Sequence, residues 1–126
     1  MMSYLVVFVG AGVGGAIRHG MNIWVARFLG THFPWHTFLI NILGSMVMGL
    51  VAGWFIHRGD PTAHLRLFLT TGILGGFTTF SAFSLDAMLL WERHEHLFAA
   101  LYVGGSVALA IAGLAVGLWI MRTALA

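Results

Sequence analysis

Apolar residues run through this chain in four long blocks, and polar residues are confined to short links between them. A bilayer core about 30 Å thick takes roughly 20 apolar residues as helix, and each block reaches that length. The pattern predicts membrane spans over residues 4–28, 35–55, 67–91 and 97–121, joined by the links GTHFP, HRGDPTAHLR and ERHEH. Pro34 precedes the second span and Pro61 falls in the second link, where neither breaks a helix. The five tryptophans, Trp24, Trp35, Trp54, Trp91 and Trp119, all fall near predicted span ends, as an interfacial aromatic belt requires.

Composition carries the same message. Of 126 residues, 60% are hydrophobic and 8% charged, against about 25% charged in average soluble domains. The mean hydropathy is +0.93, too apolar for a water-soluble fold of this size. The expected fold class is an all-α membrane protein forming a single transmembrane domain over residues 1–126. The N-terminus lacks a positive leader region and a small-residue cleavage site, so it reads as a retained helix. There are no cysteines, which removes disulfides and thiolate metal sites. Six arginines against four acids give no basic cluster for nucleic acid.

Charge does not choose an orientation. Arg58, Arg66 and Arg122 fall on one side of the four-span topology, and Arg27 and Arg93 on the other. Three against two is almost no bias under the positive-inside rule. It fits either a weakly specified single orientation or, as we favour, insertion both ways up. The second gives an antiparallel homodimer about an axis in the membrane plane, the intermolecular counterpart of inverted repeats. Small residues recur four apart at Gly10 and Gly14, Gly49 and Gly53, Gly72 and Gly76, and Gly113 and Gly117. Such pairs let helices approach closely, within a chain or between subunits.

The third block carries the unusual chemistry. Its middle reads GILGGFTTFSAFS over residues 72–84. Gly75-Gly76 costs about 2 kcal/mol of helix propensity relative to alanine, and Phe77, Thr78 and Thr79 are poor helix formers. The sequence therefore predicts a break over residues 75–79. Freed backbone groups at that depth are tolerated only against protein or a cavity, and freed carbonyls suit a hard cation. Phe80 and Phe83 share a helix face after the restart. A bare pair of this kind is ordinarily core packing, but here it is interleaved with Ser81 and Ser84.

GGFTTFSAFS closely resembles the glycine–glycine–TTFS-x-FS signature of the Fluc/CrcB fluoride channels. The resemblance covers nearly the whole chain, including G-x-G-G-A-x-R at residues 12–18 and T-F-x-x-N-x-x-G at residues 37–44. It implies a dual-topology, antiparallel homodimer with two fluoride pores, embedded in lipid as a multi-pass protein of the bacterial inner membrane. It further implies a central sodium ion, structural and not transported, held by the backbone carbonyls of Gly75 and Thr78 from both subunits. Carried over residue by residue, Phe80 and Phe83 match an aromatic box, with Ser81 and Ser84 beside them. Asn41 matches a pore asparagine, and Tyr102 and Ser106 lie on a polar track with Thr37 near its far end. One turn beyond Ser106, where relatives often carry another hydroxyl, stands Ala110. Asp86 stands where relatives often have glutamate and reads mainly as structural.

Residue chemistry agrees with that reading. Asparagine, serine, threonine and tyrosine offer neutral donors, and aromatic ring edges are positive, so an anion can be bound yet released. Preference for fluoride over chloride rests on the resemblance alone. Arg18, near mid-depth of the first span, reads as a vestibule residue drawing anions inward or as a structural cap on freed carbonyls. The seven histidines sit mostly in links or near span ends and make no convincing metal site. Ser3, Thr62, Thr70 and Thr71 read as caps or packing. A small multidrug-type antiporter is the alternative from another class. It calls for an acid in the first span, where this chain has only Arg18. No nucleophile–base pair suggests an enzyme.

Overall fold

The computed structural model describes residues 1–59 and 62–126, and Pro61 lies outside them. The described regular structure is helical throughout. Helix α1 spans Met2–Leu29 and α2 spans Trp35–Arg58. Each stops at a glycine with positive φ, Gly30 at 77° and Gly59 at 80°, which offers its amide to a carbonyl of the preceding turn. The third span, Ala63–Glu92, is composite. It comprises α3 (Ala63–Leu67), a π-helical stretch (Phe68–Leu74), α4 (Gly75–Phe77) and α5 (Phe80–Glu92). Helix α6 runs over His96–Ala124.

Among the described residues four helices are thus long and apolar enough to cross a membrane, and the protein is an all-α, multi-pass membrane protein. Side-chain placement follows from that solvent. Phe8, Trp24, Phe28 and Ile111 are mostly exposed, whereas the buried positions include Thr37, Ser106 and many glycines. With lipid outside, burying leucine gains little, so close packing and polar contacts hold the helices together.

The four glycine pairs meet one another within one chain. Gly10 and Gly14 of α1 lie against the backbone of Phe68, Gly72, Ile73 and Phe77 in the third span, and Gly76 lies against Ala11. Gly49 of α2 lies on the Leu114 carbonyl of α6, while Gly117 lies on Met46 and Leu50. Two backbone-to-backbone seams result, α1 with the first half of the third span and α2 with α6. A β-carbon at Gly10, Gly14, Gly49, Gly76 or Gly117 would collide with main chain.

At one end of the bundle the first and third links are stitched together. His32 pairs with Glu95 at 2.8 Å, Arg93 with Glu95 at 3.5 Å, and Arg93 donates to the His32 carbonyl at 3.0 Å. His96 stacks on Trp91, with ring centroids 4.0 Å apart. Thr62 caps α3 by accepting from the Leu65 amide, and the Thr70 hydroxyl donates to the Arg66 carbonyl.

Candidate functional site

The site begins with the backbone of the third span. Its winding is already loose where the Gly75 amide reaches back to the Thr70 carbonyl, five residues away. Gly75, Gly76 and Phe77 remain helical, and Thr78 still bonds to the Leu74 carbonyl at 3.0 Å. Thr78 (φ −83°, ψ 157°) and Thr79 (φ −151°, ψ 121°) are then extended, and α5 restarts at Phe80. The interruption therefore falls at the two threonines rather than at the two glycines. Gly76 is needed where Ala11 of α1 lies against it, and it serves approach rather than bending.

Side chains replace the lost helical bonds. Asn41 Oδ1 accepts from the Thr79 amide at 2.9 Å, and Asn41 Nδ2 donates to the Thr79 carbonyl at 3.0 Å. This two-way pairing imitates a strand contact and ties α2 to the interruption. Thr79 Oγ1 accepts from the Ala82 amide at 3.2 Å, an N-cap for α5. In an unbroken helix the Thr79 amide would bond to the Gly75 carbonyl and the Ala82 amide to the Thr78 carbonyl. Those two carbonyls are left without a hydrogen-bond donor among the described residues.

Beside the interruption lies an open-sided groove of about 310 Å³. Asn41, Ser45 and Met48 line it from α2, Thr78, Thr79, Phe80 and Phe83 from the third span, and Ser106 and Ala110 from α6. Ser106 is 5% exposed, and its hydroxyl has no hydrogen-bond partner among the described residues. The Phe80 ring is 78% exposed and sits 5.5 Å from Phe83, which lies 5.2 Å from Tyr102. Tyr102 is fully buried and donates to Asp86 Oδ2 at 3.2 Å. Thr37, 2% exposed, stands beside it. A row of three rings thus leads from the groove to a part-buried hydroxyl–carboxylate pair.

Of the residues singled out from sequence, the groove gathers Asn41, Thr78, Phe80, Phe83 and Ser106. Thr37 and Tyr102 lie behind the Phe83 ring. Ser81 and Ser84 are exposed on α5; Ser81 lies 3.3 Å from the Thr79 hydroxyl, and Ser84 donates to the Phe80 carbonyl at 3.0 Å. Arg18 stands one turn beyond Gly14 on the face of α1 that meets the third span. It is half-buried and makes no hydrogen bond or ion pair among the described residues. Sequence reasoning missed Ser45 and Met48, although Ser45 follows Asn41 by one turn and so shares its face. It also missed that the Asn41 amide is engaged by backbone.

Comparison with known proteins adds an independent line. The family model for "CrcB-like protein, Camphor Resistance (CrcB)" matches residues 5–118. A protein of Rhodopseudomonas palustris (strain BisB5), named fluoride-specific ion channel FluC, is 62% identical over 121 residues, covering 96% of this chain and 98% of its own. Proteins of the same name from Methylobacterium nodulans and Hyphomonas neptunium are 61% and 45% identical, each across 97% of this chain.

Proposed function

The chain belongs to the CrcB family, and from that premise we propose that it is a fluoride-selective channel through which fluoride leaves the cytoplasm passively, lowering its toxicity. The family is one of ion channels, not enzymes. The observation that carries the reading is the groove, where an interrupted helix, a ladder of phenyl rings and an unpartnered hydroxyl converge without a fixed charge. Fluoride is small and strongly hydrated, so its path must offer donors in place of water. Ser106 and the remaining N–H of Asn41 are such donors. The edges of Phe80 and Phe83 add weak attraction for an anion, and neutral dipoles bind without trapping, as conduction demands. Ser81 and Ser84 extend the hydroxyl surface of α5, while Thr37 and Tyr102 continue the path beyond Phe83. Arg18, cationic and without an acid partner, fits a vestibule that concentrates anions.

The groove is open along one side and Phe80 is largely uncovered. A second, inverted copy in the inner membrane of a bacterium would close it, giving two pores per dimer. The carbonyls of Gly75 and Thr78 fit a sodium ion: hard, neutral oxygens released from helical bonding at neighbouring positions. Sodium, when bound there, supplies positive charge that holds the carbonyl ends of two such segments together, and it is not transported.

Efflux from liposomes carrying the purified protein tests this. Fluoride is expected to leave quickly and chloride not; equal rates for both reject the selectivity. Phe80→Ile or Phe83→Ile should slow fluoride by roughly tenfold, about 1.4 kcal/mol, with the dimer intact. Removal of sodium should erode flux over time, and indifference to sodium rejects the cation site.

A further inference from the structure

An anion path is defined by the donors not already committed to protein, and in this groove they are few. The Thr78 hydroxyl donates to the Leu74 carbonyl at 2.9 Å, and the Thr79 hydroxyl lies 3.3 Å from that of Ser81. One N–H of Asn41 is held by the Thr79 carbonyl. Ser106 is unpartnered and already belongs to the proposed path. Ser45 is the remaining hydroxyl on the groove wall, and it makes no hydrogen bond to any described residue.

That freedom is not the usual state of a hydroxyl in an apolar helix. Such a group ordinarily bonds back to the carbonyl one turn earlier, as Thr70, Thr78, Ser84 and Thr123 all do in this chain. Ser45 also lies one turn from Asn41 on the same face of α2, and Ala110 lines the same groove from α6 without offering a donor. We infer that Ser45 is an anion-binding residue of the permeation path, its hydroxyl serving the stretch of groove that α6 leaves without one at Ala110.

The inference rests on the channel reading above, and the same liposome assay separates the two. Wild-type protein should release fluoride. Ser45→Ala should release it roughly tenfold more slowly or worse, since hydrogen bonds to an ion are among the stronger ones. Ser45→Thr should keep most of the flux. Adding Ala110→Ser to Ser45→Ala should recover flux, which a merely structural role for Ser45 would not produce. Should Ser45→Ala fail to fold, Ser45→Cys supplies the test, because it keeps the volume and weakens the donor; it too should be slow. Full-rate flux in folded Ser45→Ala or Ser45→Cys overturns the inference while leaving the channel intact. Wild-type protein that releases no fluoride overturns both.

Discussion

At the scale of single residues, the proposed channel gives Asn41 two functions that separate by substitution. Its side chain satisfies one amide and one carbonyl of Thr79, and it keeps one N–H for the groove. Asn41→Leu leaves both part-buried Thr79 groups without these partners, at up to about 1–3 kcal/mol each. We expect a clear fall in the melting temperature of the detergent-solubilised protein, and an unchanged melt would rule out the clamp. Asn41→Asp keeps the acceptor for the Thr79 amide but loses the donor and adds a negative charge. It should melt nearer to wild type than Asn41→Leu and yet conduct fluoride far more slowly. This residue was legible in the sequence through the resemblance carried by T-F-x-x-N-x-x-G at residues 37–44. Its backbone partner was not, because the pairing joins residues 38 positions apart and no local pattern records it.

At the scale of elements, the third span shows how tertiary contact overrides propensity. Propensity allowed the interruption anywhere over residues 75–79; the backbone stays helical through Gly75-Gly76-Phe77 and turns extended only at Thr78 and Thr79. Gly76 holds helical geometry where α1 packs onto it at Ala11, and the threonines leave it because Asn41 and the Thr79 hydroxyl supply alternative partners. Helix number was readable from block length alone, while the π-helical winding of Phe68–Leu74 carried no sequence signal that we recognise. The glycine pairs were visible as a spacing, but which pair faces which needed coordinates. Gly49→Leu drives a side chain into the Leu114 carbonyl, and overpacking of this kind costs about 1–3 kcal/mol or more. It should sharply reduce the yield of folded protein. Gly12→Leu, with no atom within 4 Å of a β-carbon, should leave the fold of one chain intact. Equal yields from the two variants would show that the seams do not govern folding.

At the scale of the whole molecule, the near-balance of arginines across the predicted faces gives a third kind of test. If both orientations are needed, biasing one of them should remove function. A variant with extra arginines in the second link and at the C-terminus should be inactive alone in fluoride efflux. It should recover when produced together with a variant biased through the first and third links. Activity from either biased variant alone would reject inverted pairing. The pairing of residue 41 with residue 79 also bears on any effort to retune halide preference. Because one side chain both secures the wall and lines the groove, substitutions there that drop the Thr79 contacts are lost to misassembly before their preference can be scored. A library directed at larger halides would do better to leave that asparagine alone and diversify positions 45, 106 and 110, where no hydrogen bond among the described residues depends on the side chain being exchanged.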